Sequence, residues 1–299
     1  MSVDETAASP QKTAGQAFGR AGIAWMIATT VFFVSQDATM RVLTRSYPVL
    51  EVAWARFTVH MLLVAGMVAW HNPHLMRSSR PVLQMVRSLL LLAAMLFSTL
   101  SLRSLPFAEV QAVAAAAPVL VTALSVPLLR EKVGWRRWAG VLGGLSGTLL
   151  IIGPASGTFH WVVALPLAAA LANALYQICT RMLKGDDKPG TTMFYTSLAG
   201  ALITTLLLPF NWVTPDVTGA ALMLLLGVLG LISHFCLIRA YTAASAATVA
   251  PFGYMTLVWA AFFSLTIFGE TLTPFTLGGG AIIVLSGVYI FHREQTRDH

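Results

Sequence analysis

The residues with chemical capacity in this chain are polar ones stranded inside long apolar runs. Ser35, Gln36 and Asp37 lie in one run, and Asn173, Tyr176 and Gln177 in another. Amide and phenol groups donate and accept hydrogen bonds, so such clusters can meet both an ammonium and a carboxylate. The competing reading is helix glue, in which a buried amide joins two helices for about 0.6 kcal/mol on average. The recurrence of the same polar types in both runs favours binding. Asp37 and Arg56 sit at matching depth on either side of the joint between two runs. An ion pair is expected there, because it would relieve two charges that are otherwise costly in hydrocarbon. Glu51 competes for Arg56, although five positions is a poor spacing on one helix.

His60 and His234 stand alone in their runs. A lone intramembrane histidine is more often a hydrogen-bonded packing residue, but His234 is also a candidate for binding or proton coupling. Ser98 and Ser101 occupy the corresponding region of the other half. Tyr254 and Trp259 offer faces on which a flat or apolar side chain could stack, with the Tyr254 hydroxyl as donor. For Trp259 an interfacial position is an equal alternative. Pro118 and Pro251 interrupt apolar runs. The candidate binding set is therefore Gln36, Asp37, Ser98, Asn173, Tyr176, Gln177, His234, Tyr254 and Trp259.

The elements that position these residues are apolar helices. Of 299 residues 57% are hydrophobic and 10% charged, and the mean hydropathy is +0.74. A soluble domain is usually nearer 25% charged. Spans are expected at 21–42, 52–70, 82–102, 108–129, 138–152, 161–183, 192–209, 219–240, 246–268 and 275–291. Each is close to the roughly 20 residues a bilayer requires, the fifth being short. The first span is expected to serve as its own insertion signal, since residues 1–20 lack the basic start of a cleaved leader.

Positive charge sets orientation. With these spans, fourteen of the 19 Lys and Arg residues fall on one side. Only Arg41, Arg45 and Arg103 fall on the other, and Arg56 and Arg87 lie within spans. Both termini are therefore expected in the cytoplasm. The net charge of +7 reflects this bias rather than a nucleic-acid partner, because no basic patch is interleaved with exposed aromatics. Cys179 and Cys236 show neither disulfide nor zinc spacing.

The chain repeats itself. Glu131 precedes Gly143-Gly144-Leu145-Ser146-Gly147, and Glu270 precedes Gly278-Gly279-Gly280 and Ser286-Gly287. The spacing from glutamate to the Ser-Gly glycine is 16 in the first copy and 17 in the second. Gln36 to Arg41 likewise resembles Gln177 to Arg181. A five-helix unit is odd, so its second copy must enter from the opposite side. That is the inverted repeat common among secondary transporters, whose sites lie near the midplane between halves. The expected fold is all-α and polytopic, with ten transmembrane helices as two inverted five-helix repeats over 21–155 and 156–292. Short cytoplasmic tails over 1–20 and 293–299 complete it. Glu131 and Glu270 fall on opposite sides of the bilayer and are expected to tie helix ends within their own copies.

On these residues the chain resembles the drug/metabolite transporter superfamily, in its ten-helix EamA-type exporter branch. The likeness rests on Glu131 and Glu270, the Gly-rich helices after them, Arg56 early in span two and Pro118 in span four. It covers nearly all of both halves and is closest to members that export amino acids, including aromatic ones. It implies a multi-pass exporter of the bacterial inner membrane working by alternating access. The cavity would be walled by spans one, three, four, six, eight and nine, with no cofactor. Structural or gating roles would go to Arg56, Pro118, Glu131, Pro251 and Glu270. Arg130 departs from the family, which usually has glycine before the first glutamate.

The expected partners are an amino acid and the bilayer, with a monomer sufficient because the repeat already supplies both halves. Organic phosphates or nucleotide sugars would call for Lys or Arg in the cavity, and the second half has none in the interior of its spans, Arg181 and Arg239 standing at their ends. Lipophilic cations would rely on Asp37 alone. Gly144-Leu145-Ser146-Gly147 matches the GxSG pattern of an intramembrane serine protease. A serine without its base is inert, and close helix packing through Gly140, Gly143, Gly144 and Gly147 is the better reading. A membrane enzyme or a sensor is disfavoured for want of catalytic pairs and of a soluble domain.

Overall fold

The computed structural model describes residues 10–71, 77–130, 134–152, 164–183, 186–210, 212–244 and 249–295. Among them the chain is helical and carries no strand. The α-helices are α1 (Pro10–Leu43), α2 (Val49–His71), α3 (Pro81–Ser104), α4 (Phe107–Ala114) and α5 (Ala117–Leu129). They continue as α6 (Trp135–Ile152), α7 (Ala164–Met182), α8 (Pro189–Leu207), α9 (Val217–Ala243), α10 (Met255–Thr266) and α11 (Pro274–Gln295). Proline opens α3, α8 and α11, where its missing N–H costs nothing.

Six segments are long and apolar enough to cross a membrane, among them Pro81–Ser104, Phe107–Leu129 and Val217–Ala243. Trp138–Ile151, Phe252–Thr266 and Pro274–Tyr289 are shorter apolar helices. Large apolar side chains face outward along them, including Leu206 at 75% and Leu285 at 69% exposure. Exposure on that scale suits hydrocarbon surroundings rather than water.

Two expected spans are interrupted. The fourth is divided into α4 and α5 by a tight turn at Ala115–Ala116, where Ala116 N–H donates to the Val113 carbonyl at 3.0 Å. Pro118 lies in the first turn after it. The ninth begins as the 3-10 segment Ala250–Tyr254, which contains Pro251, before α10 takes over. The two breaks occupy corresponding places in the two halves.

The packing has the same duality. α1 packs on α9 as α3 packs on α7, and α2 on α9 as α3 on α8. α4 and α5 pack on α7 as the 3-10 segment and α10 pack on α1. The pairs α2–α8 and α6–α11 map onto themselves when the halves are exchanged, and α4 also meets α10. The largest core cluster draws Val34, Met40, Val52, Phe57, Met95, Leu102, Phe107 and Leu226 from both halves.

The glycine-rich helices approach most closely. A Cβ on Gly147 would come within 2.8 Å of the Gly279 carbonyl oxygen, and Gly143 faces the Ser286 hydroxyl. Small residues are what permit such contact between membrane helices. The expected close packing is therefore present at α6–α11. Arg130 adopts the left-handed conformation, with φ 55°, and Gly269 does the same at 65°. The departure from glycine thus leaves the turn geometry unchanged and adds strain to it.

Candidate functional site

Asp37 on α1 and Arg56 on α2 are both half-buried within their spans. They do not form the expected contact ion pair. Gln111 on α4 takes the place beside the carboxylate, donating through Nε2 to Asp37 Oδ2 at 2.7 Å. The Arg56 charge acts on Asp37 from a greater distance, and also on Tyr176, His60 and His234. Among the described residues Arg56 makes no hydrogen bond and no ion pair, and its ring contact is with its neighbour Phe57 at 5.9 Å. Glu51 turns elsewhere and accepts from the Val213 N–H at 3.0 Å.

Side chains from both halves lie near this guanidinium. His60, one turn beyond Arg56, lies 5.5 Å from the His234 ring on α9. Phe33 of α1 meets His234 edge-on at 5.3 Å. His60 Nε2 is buried and has no partner. Neither histidine is isolated, as they had seemed from their positions along the chain.

Tyr176 on α7 is half-buried, and Asn173 lies one turn before both Tyr176 and Gln177, which point in different directions from the helix. The Tyr176 hydroxyl accepts from Arg87 Nη2 at 2.7 Å, and the guanidinium lies 4.5 Å from the ring centroid. Arg87 was a residue the sequence offered no partner for. It is 3% exposed and donates to Thr180 Oγ1 at 2.6 Å, Thr196 Oγ1 at 3.0 Å and the Thr192 carbonyl at 3.2 Å. Neutral acceptors from α7 and α8 thus hold a buried cation with no carboxylate in contact. The absence of Lys and Arg from the middle of the second half's spans therefore does not make the interior free of cations.

Other candidates lie apart. Gln36 is 1% exposed and donates through Nε2 to the Leu226 carbonyl at 3.2 Å, fastening α1 to α9. Trp259 Nε1 donates to Thr30 Oγ1 at 3.1 Å, joining α10 to α1. Tyr254 packs against Ala112, Val113, Ile151 and Ile283, with its hydroxyl seated over Gly287 of α11. Ser98 is half-buried on α3. Pro118 and Pro251 mark the two interruptions, and Glu131 lies outside the described residues.

Glu270 does not tie helix ends within its own copy alone. Its carboxylate accepts from both Nη atoms of Arg41 at the end of α1. It also accepts from the Phe107 N–H that opens α4, at 2.8 Å, and from Ser264 Oγ at 2.8 Å. The Arg41 guanidinium lies 4.4 Å from the Phe268 ring centroid. This knot links the two halves because α1 packs against α10. At the other ends of the helices, Asp187 accepts from Ser79 N–H at 2.7 Å and Gln84 Nε2 at 2.9 Å, as well as from Ser78 Oγ.

Comparison with known proteins gives this framework its context. The profile of the EamA-like transporter family matches twice, over residues 20–153 and 160–292. The S-adenosylmethionine uptake transporter of Rickettsia prowazekii is 26% identical over 274 residues, covering 92% of this chain and 93% of the relative. A riboflavin transporter of Rhizobium johnstonii is 25% identical over 283 residues, covering 93% of each. The pseudopaline exporter of Pseudomonas aeruginosa is 23% identical, covering 92% of this chain and 98% of that protein. A solved crystal structure superposes with a TM-score of 0.63 at 18% identity, covering 96% of this chain and 99% of the other, and so shares the fold. The two profile matches span nearly the whole sequence, and the relatives bear the names of transporters rather than enzymes. The chain is a multi-pass membrane transporter and belongs to the EamA-like transporter family.

Proposed function

We propose that this protein carries amino-acid-type zwitterions across the bacterial inner membrane by alternating access. The observation that carries this reading is the ring of polar groups drawn from both halves: Asp37, Arg56 and His60 from the first, Tyr176 and His234 from the second. It contains both signs of charge with no contact ion pair between them. The paired interruptions near Pro118 and Pro251 support the same location, since broken helices in corresponding positions mark transporter sites. Ten spans in two inverted repeats, with both termini cytoplasmic and a monomer as the working unit, complete the proposal.

The name of the S-adenosylmethionine transporters supports a solute with an amino-acid head, whereas that of the riboflavin transporters does not. S-adenosylmethionine combines an amino-acid head with a flat purine, and riboflavin is a flat ring system. The relatives' names cover both uptake and export, as a symmetric carrier permits. Net export is the direction we propose for a solute made inside the cell. An organic phosphate is the second reading, favoured by Arg56 and Arg87 and opposed by the nearby Asp37 carboxylate.

Counterflow in proteoliposomes tests the proposal. Labelled phenylalanine, tryptophan and S-adenosylmethionine are the probes, with riboflavin, glycerol 3-phosphate and tetraphenylphosphonium as comparisons. Exchange of a zwitterion is expected. Exchange of glycerol 3-phosphate or tetraphenylphosphonium alone would overturn the substrate assignment.

A further inference from the structure

We infer that Arg56 is the anchor for the solute's carboxylate and Asp37 the counter-site for its ammonium group, so that solute is held by both ends of an amino-acid head. This assignment rests on the zwitterion reading above and gives it an orientation.

The argument starts from what Arg56 lacks. A guanidinium offers five N–H donors in a fixed fork matched to a carboxylate. Inside a bilayer such a group is expensive and is normally paired. The other arginines near the helix bundle's interior obey that rule. Arg41 is held by Glu270 and Arg87 by four acceptors on α7 and α8 in addition to Gln84. Arg56 alone among these three has no hydrogen bond with the described residues.

None of the described groups around Arg56 serves it as a contact counter-ion. Asp37 is the nearby carboxylate, but it is engaged by Gln111 and held out of contact. His60 and His234, the titratable groups of α2 and α9 facing this space, cannot neutralise a cation. Tyr176 of α7 is already committed to Arg87. Both Arg56 and Asp37 remain half-buried, so each has accessible surface in an otherwise packed bundle. A positive and a negative group out of contact with each other, on helices consecutive in the chain, offer one partner to each end of an α-amino acid. A dianion would meet repulsion from Asp37, and a lipophilic cation would meet it from Arg56.

The test measures how much each end of the solute contributes. Counterflow of labelled phenylalanine and labelled S-adenosylmethionine is competed with phenylalanine, its methyl ester and its N-acetyl derivative. In the unaltered protein the ester should compete on the order of tenfold to a hundredfold more weakly than phenylalanine, the range of a charge-assisted hydrogen bond. Arg56→Gln should abolish the preference for the free carboxylate, whereas Arg56→Lys should keep part of it. Asp37→Asn should instead abolish the preference for the free ammonium. Should Arg56→Gln fail to insert, Arg56→Lys and Asp37→Asn still carry the comparison. Equal discrimination against the ester in the unaltered and Arg56 variants would overturn the assignment while leaving zwitterion transport intact. Failure of the unaltered protein to exchange either label would overturn both.

Discussion

Arg41, on the last turn of α1, grips Glu270 with both arms of its guanidinium, Nη1 lying 3.1 Å from Oε2. The pair joins the first half of the chain to the loop before α11, on the side that the charge count assigns to the exterior. Burial alone would raise the Glu270 carboxyl, but hydrogen bonds from Arg41, the Phe107 N–H and Ser264, together with the Arg41 charge, hold it below its ordinary value. The arrangement has the form of a latch between the two halves.

Replacing Glu270 by Gln should lower stability by about 1–3 kcal/mol. That lies between an exposed pair and a fully buried one, because the side chains are 13% and 21% exposed. The double replacement Arg41→Glu with Glu270→Arg should recover part of the loss. Because the folded carboxyl titrates below its unfolded value, its contribution is full above about pH 4.5 and disappears as pH falls through the lower folded value. Thermal unfolding in detergent across pH 3–7, as an order-of-magnitude window, checks this. Unequal melting of the two proteins at the acid end would contradict it.

Asp187 should give a second acid-dependent contribution. Burial acts to raise it, but bonds from Ser78, Gln84 and both the N–H and hydroxyl of Ser79 bring it down to about 2. Its stabilising effect is complete above the unfolded value near 4 and is lost as pH falls toward 2. Asp187→Asn should therefore melt below the unaltered protein at neutral pH, and the difference should shrink on acidification. A difference independent of pH would show that the carboxylate charge is not what holds the two loops together.

Arg130→Gly should be neutral or stabilising by about 0.5–1 kcal/mol, since glycine takes the left-handed conformation without the clash of a Cβ. Gly269→Ala should cost a similar amount, because it introduces that clash at φ 65°. Opposite shifts in melting temperature are the expected signature.

Gly147→Val should be the most damaging of these changes, because a Cβ there meets the Gly279 carbonyl and the Ile282 and Ile283 side chains. Gly280→Ala, where a Cβ meets nothing within 4 Å, is the matched control. Loss of folded yield for the first and not for the second is expected. Equal yields would mean that α6 and α11 do not rely on close approach.

Much of this architecture is legible in the residues themselves. The spacing of Gly143 and Gly147 forecast a close helix approach, though not that α11 would be the partner. Pro118 and Pro251 stand where the structure interrupts its fourth and ninth segments. The partners of charged groups were less legible. Asp37 and Arg56 had the correct depth for an ion pair, but depth along two helices does not report that Gln111 approaches from a third. Glu270 looked local because its neighbours in sequence are. The knot it forms depends on α10 packing against α1, a contact between distant segments. Arg87 gave a signal, since an intramembrane arginine is costly, yet the threonines and tyrosine that hold it are ordinary residues until α3, α7 and α8 are brought together.

The proposed alternating access has the two halves part at Arg41 and Glu270 to let solute pass between them. It is tested by cross-linking. In a protein carrying Cys179→Ser and Cys236→Ser, the changes Arg41→Cys and Glu270→Cys place one thiol on each side of the latch. Before cross-linking this protein should exchange labelled phenylalanine or S-adenosylmethionine. A short, reducible thiol cross-linker should stop exchange, and reduction should restore it. Undiminished exchange with the cross-link complete would contradict the claim.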